Sequence, residues 1–144
     1  MTTAKTVLVC VTPQESSKAL VSAGRAIAEE KGASLEVVSV LPISKPLENN
    51  PQIMEALYQC AKNEGGEMAV YFSDEPIITV AAHIGKSKPK TIVTGFPGEN
   101  SNNFISTIRL LFPSLPISMV GKDNTVYNLL PVEANTKNSF PQKA

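Results

Sequence analysis

Between Thr91 and Val120 the chain reads TIVTG, FPGENSNN, FISTIRLLF and PSLPISMV. That is a buried-type apolar run ended by glycine, a loop rich in glycine and asparagine, an amphipathic helical segment, and a second apolar run. Few folds accommodate this order. Short apolar runs without alternation suit strands covered on both faces. A helix placed between two such strands makes them parallel, joined by a right-handed crossover. A loop at the carboxyl end of a strand in such a sheet is where phosphates usually bind. Here the loop keeps Gly95 and Gly98 but lacks the later small residues that would complete a phosphate cradle.

The same alternation runs through the preceding residues. Thr6 to Thr12 (TVLVCVT) is a β-branched strand run. Thr12-Pro13-Gln14-Glu15 then predicts a helix start, with Thr12 as cap, Pro13 at the first helical position and Glu15 reaching back. Leu20, Ala23, Ala26 and Ile27 share one face of that helix, and Gly32 stops it. Leu35 to Leu41 is the second strand. Asn50-Pro51 opens a second helix carrying Ile53, Met54, Leu57, Tyr58 and Ala61, and Gly65-Gly66 ends it. Met68 to Phe72 is the third strand. Ser73 or Asp74 caps a third helix whose inward face is Ile77, Val80, Ala81 and Ile84. Thr91 to Thr94 is the fourth strand. The fourth helix presents Phe104, Ile105, Ile108, Leu111 and Phe112 and stops at Pro113. Pro116 to Val120 is the fifth strand.

The predicted fold class is α/β: a three-layer sandwich with a five-stranded parallel sheet and four helices. Residues 1–121 form that domain, and 122–144 form a C-terminal extension. Within the extension VYNLLPV (Val126 to Val132) is a candidate packed arm. Asn135 to Ala144 is polar, lacks periodicity and reads as disordered. At 144 residues the chain holds one domain. Thirteen basic residues balance thirteen acidic ones, so neither nucleic acid nor an anionic membrane is indicated as partner. No apolar run approaches the ~20 residues that span a bilayer. The opening MTTAKTVLVCV alternates like a strand and has no cleavage site of signal-peptide type, so a cytoplasmic location is expected. Cys10 falls in the first strand run and Cys60 in a helical pattern. Without a CxxC spacing or a Cys/His cluster, both read as buried free thiols.

The order of elements, and three stretches in particular, resemble the universal stress protein family. Those stretches are VLVCVTPQESSKAL, AIAEEKGASLEVVSVLP, and TIVTG with its glycine loop and LLFPSLPISMV. The opening, with the Ser16-Ser17 pair after the first strand, looks most like the stress-protein domain of Kdp-type potassium-sensor histidine kinases, here without a kinase segment. The resemblance implies a flavodoxin-like or Rossmann-like sheet of order 3-2-1-4-5, and a homodimer formed through the last strand, 116–120. It also implies an adenine nucleotide, ATP or AMP, held by an acidic residue after strand one and by a G-x-x-G, nine residues, G-[ST] motif after strand four. Gly95-Phe96-Pro97-Gly98 matches the first half. Asn103-Phe104 stands where Gly-Ser would, and Thr12 occupies the acidic position. Asn100, Asn102 and Asn103 can visit left-handed conformations and donate side-chain amides, a partial substitute for glycine backbone N–H groups. Transferred by position, the candidate binding residues are Thr12, Val40, Gly95, Gly98, Ser101 and Asn103. Thr12 and Val40 would flank base and ribose, while Gly95, Gly98 and Asn103 would donate to phosphate.

Other signals have blander readings. Gly85-Lys86-Ser87 lacks the earlier glycine of a P-loop and precedes a strand, the wrong order. His83-Ile84-Gly85-Lys86 resembles the HIGH signature of nucleotidylyl transferases but ends a helix rather than starting one. His83, the sole histidine, therefore reads as a helix-end residue favoured by the dipole, and no metal site is predicted around it. Ser16 and Ser17 could meet a phosphate or a cyclic dinucleotide, or be ordinary first-turn residues. Lys86, Lys88 and Lys90 read as a solvated basic turn. No nucleophile has a base beside it in the pattern. The sequence thus predicts a non-enzymatic, stress-protein-like regulatory module with a small nucleotide ligand. The alternatives are a nucleotide-free interaction domain, a cyclic di-AMP-responsive partner of a signalling protein, and an ATP-hydrolysing enzyme.

Overall fold

The computed structural model describes residues 5–12, 16–44, 50–95 and 102–129, with the side chains of residues 50, 102 and 103 excepted. Its elements in chain order are β1 (Thr6–Val11), α1 (Ser17–Lys31), β2 (Ser34–Leu41), α2 (Asn50–Asn63), β3 (Glu67–Phe72), α3 (Pro76–Ser87), β4 (Thr91–Gly95), α4 (Asn102–Leu111), β5 (Ile117–Val120) and β6 (Val126–Leu129). The sheet order is β3-β2-β1-β4-β5-β6. The first five strands are parallel, as the crossover helices require.

Strand residues alternate between two cores. Val7, Val9, Val37 and Val93 pack with Val21 and Ala28 of α1 and Leu57 and Ala61 of α2. Leu8, Val38, Ile92 and Ile117 pack with Val80 and Ile84 of α3 and Ile108 of α4. The inner strands β1, β2, β4 and β5 therefore bury both faces, which is why their runs carry so few polar residues, whereas the edge strands β3 and β6 have no fully buried residue. This is a three-layer α/β fold.

Two local expectations change. Helix α1 begins at Ser17, with Ser16 at the cap position and no side-chain capping bond. The carbonyl of Thr12, one residue past the end of β1, accepts the Ser17 hydroxyl at 2.7 Å, and the cap position of the helix falls on Ser16 rather than Thr12; Pro13 and Glu15 lie outside the described residues. The buried face of α1 is Ser17, Val21, Gly24 and Ala28, with Leu20, Ala23 and Ile27 flanking it and Ala26 exposed. Gly24 is what lets α1 sit this close: a Cβ there would collide with the Val9 side chain.

The sixth strand is the larger change. After β5 the chain turns sharply: Gly121 N–H bonds the Thr125 carbonyl at 2.8 Å and Asn124 N–H bonds the Gly121 carbonyl at 2.9 Å. Asn124 takes a left-handed φ of 67°, which asparagine tolerates better than most residues. Val126–Leu129 then pairs antiparallel with β5, and Ser118 Oγ donates to Asn128 Oδ1 at 2.7 Å. The arm suggested by VYNLLPV is in its first half a strand of the sheet. β5 is consequently an inner strand, and a second copy could pair along 116–120 only by displacing β6. Residues 130–144 lie outside the described residues.

Candidate functional site

Parallel strands deliver their carboxyl ends to one edge, and the sheet order reverses direction between β1 and β4. At that edge lies a cleft of about 1130 Å³. Its floor is made by Cys10 and Val38 with Val40 and Thr94. One wall is Pro76, Ile77 and Val80 from α3, and the other is Phe104 and Ile105 from α4. Thr12, Ser16 and Gly95 form the rim on the α1 side, and Lys122, Asp123 and Tyr127 form it on the hairpin side.

The cleft is mostly carbon. Among the described residues Lys122 is its one cation and Asp123 its one anion. The Thr125 backbone N–H donates to Asp123 Oδ1 at 3.1 Å. That bond, aided by the Thr125 hydroxyl, holds the carboxyl below its ordinary value. Asp123 is thus an anion that stiffens the hairpin turn beside Lys122. Cys10 is half-buried on the cleft floor rather than sealed inside the strand layer. Burial nevertheless pushes its thiol up to about 12, so it is neutral and unreactive at ordinary pH. Cys60 is half-buried on α2, with its Sγ 3.9 Å from the Lys18 carbonyl.

Of the six residues predicted from sequence, Thr12, Val40 and Gly95 line this one cleft. Gly98 and Ser101 lie outside the described residues. Asn103 sits in the first turn of α4, its side chain likewise outside them. Among the described residues a Cβ on Gly95 would meet only Leu20 Cδ2, at 3.8 Å, so none of them demands glycine there; its effect is to leave the rim open. The Ser17 hydroxyl is committed to the Thr12 carbonyl, which removes it as a phosphate donor. Lys122, Phe104 and Ile105 join the site without having been selected. Lys122 directly follows Gly121 at the carboxyl end of the last parallel strand, and that position was the available signal.

His83 corrects the helix-end reading. It is buried, with Nδ1 2.7 Å from the Tyr71 hydroxyl and Nε2 3.2 Å from Glu36 Oε2. The two rings meet edge to face. The Tyr71 contact ties α3 to β3, while Nε2 faces Glu36 of β2 without a hydrogen bond; none of the three side chains lines the cleft. Among the described residues no group of three or more His, Cys, Asp or Glu side chains could hold a metal ion, and no helix is long and apolar enough to cross a membrane.

No family model and no curated relative matches this sequence. Solved structures do resemble it. A universal stress protein crystallised in complex with cAMP matches with a TM-score of 0.61, covering 84% of this chain and 99% of that one at 16% identity. The universal stress protein from Archaeoglobus fulgidus in complex with dAMP matches at 0.54, covering 76% and 92% at 14% identity. The 4-carboxy-2-hydroxymuconate hydratase GalB from Pseudomonas putida KT2440 also matches, at 0.57 over 80% of this chain and 65% of that one, with 12% identity. The chain therefore has the universal stress protein fold. Since a hydratase shares the same layers, its activity must be argued from the cleft itself.

Proposed function

We propose that this chain is a stand-alone regulatory module of universal stress protein type that binds an adenine nucleotide in the carboxyl-edge cleft. The observation that carries the reading is the cleft itself. It is a large apolar slot at the point where the strand order reverses, lined by Thr12, Val40 and Gly95 together. The cAMP and dAMP complexes of two proteins with this fold support the choice of ligand.

In this reading the base lies on the carbon of Val40, Pro76 and Ile77, and the ribose lies near Thr12. The phosphate sits by Gly95 and the Lys122 ammonium, with Gly98, Ser101 and Asn103 completing the donors. Thr12 offers a weaker hydrogen bond to ribose than a carboxylate would. Affinity is accordingly modest, and AMP or cAMP suits Lys122, the one cation among the described residues of the cleft, better than ATP does. A cytoplasmic setting fits the same account.

Thermal unfolding with AMP, cAMP, ATP and cyclic di-AMP tests it. A ligand at ~100 times its Kd that binds only the native state adds about 2.7 kcal/mol, a rise of several degrees in Tm. The rise should vanish in Gly95→Val, whose side chain would occupy the rim. A Tm unmoved by all four nucleotides would leave an interaction module with an empty cleft.

A further inference from the structure

A second cavity, of about 930 Å³, lies at the opposite, amino end of the sheet. Its floor is Ile84, Phe112, Leu115 and Pro116. Around it stand Lys5, Lys31, Lys88 and Lys90, all exposed. The fold gathers them because strand entries share this end: Lys90 N–H bonds the Thr6 carbonyl at 2.7 Å, and Ser34 N–H bonds the Lys5 carbonyl at 2.8 Å. Among the described residues no carboxylate lines this cavity and none pairs with these four lysines.

A lysine in the last turn of a helix compensates the dipole, which accounts for Lys31 on α1. It does not account for two positions at the end of α3. Gly85 lies inside the helix with an ordinary φ, and a Cβ there would meet nothing within 4 Å among the described residues. Glycine inside a helix is less stable than alanine, and no crowding from the described residues requires it here. Lys88 holds the left-handed conformation, with φ 51° and ψ 60°, which glycine adopts without steric cost and lysine does not. The sequence thus has glycine where a side chain would stabilise and a side chain where glycine would. Both residues line the cavity. Their common effect is an open floor with a cation at its rim.

We propose that the amino-end cavity binds a small amphipathic anion: a carboxylate or phosphate headgroup held among the lysines, and an apolar body lying on Phe112, Leu115 and Pro116. Its size suits a small molecule. Amide spectra of the full chain, titrated with hexyl phosphate, hexanoate and inorganic phosphate, test this. The two amphipathic probes should move the amides of Gly85, Lys88, Lys90 and Leu115, and inorganic phosphate should bind at least roughly tenfold more weakly. Gly85→Leu should abolish binding by filling the floor. Lys88→Gly should weaken it roughly tenfold by removing a charge-assisted contact, with Tm at or above that of the parent. Amide shifts confined to Gly95 and Lys122 at the far end would overturn the proposal. So would equal binding of inorganic phosphate, or binding unchanged in both variants.

Discussion

The two helical layers are built differently. On the α1–α2 side, helix and sheet meet at contact distance where Gly24 lies against Val9, and the turn after α2 is as tight: a Cβ on Gly66 would fall 2.8 Å from the Leu35 carbonyl oxygen. Val21, Leu57 and Ala61 are fully buried there. On the α3–α4 side, Val80, Ile84 and Ile108 are buried, yet Ile77, Phe104 and Ile105 are only half-buried and line a cleft. The polar group of Glu36, His83 and Tyr71 also lies on this side. The α1–α2 layer is closed along most of its length, with only the first turn of α1 (Ser17, Ala19 and Leu20) reaching the cleft. The other splits at the carboxyl edge and keeps space for a ligand.

The widest separation between the layers should come from truncating core side chains. Leu57→Ala, at a site with 0% exposure, should cost about 2–5 kcal/mol in urea unfolding. Ile77→Ala on the cleft wall should cost less than about 1.5 kcal/mol, because the space it leaves opens to solvent. Equal costs would break the distinction. The glycines sharpen it next. Gly24→Ala should lose about 1–3 kcal/mol through overpacking against Val9, whereas Gly95→Ala should change stability by no more than about 0.5 kcal/mol.

Within the open layer, Tyr71→Phe removes the hydroxyl from His83 Nδ1 and should cost about 1 kcal/mol by denaturant titration. A neutral result there would mean that packing alone seats α3. The smallest effect belongs to Asp74, just ahead of α3. The Ser44 backbone N–H holds its carboxyl below the ordinary 3.8, helped by the Ser44 hydroxyl and the Ile43 N–H. A depressed carboxylate stabilises the fold above its unfolded pKa, and that contribution fades as pH falls through the folded value. Asp74→Asn should therefore lower Tm slightly at pH 7. The gap between variant and parent should close as pH drops below 3.8; a gap that persists in acid would assign the loss to something other than charge.

Much of the fold can be read in the chain because the inner parallel strands β1, β2, β4 and β5 bury both faces, leaving unbroken β-branched runs such as TVLVCV, and because Gly32 and Gly65-Gly66 mark helix ends. The start of α1 was misplaced because Thr-Pro-x-Glu satisfies a local capping pattern, while the Ser17 hydroxyl bond to Thr12 depends on how strand and helix meet. Strand β6 is four residues long, and three of them are exposed, so its pattern is weak until β5 stands beside it. The environment of His83 is hidden from the sequence for a related reason: Tyr71 and Glu36 lie on separate strands, and only the sheet brings them to it. In the cleft, Thr12, Val40 and Gly95 could be anticipated from their places at strand ends. The contributions of Phe104, Ile105 and Lys122 depend on how α4 and the β5–β6 hairpin close around that edge.

The most direct test of the nucleotide cleft is an amide-shift titration of the full chain with AMP, repeated on Gly95→Val. The account predicts movement at Val40, Gly95, Ile105 and Lys122, none at Gly85 or Leu115, and loss of the response in the variant. Unmoved cleft amides at millimolar AMP, or an identical response in Gly95→Val, would contradict it.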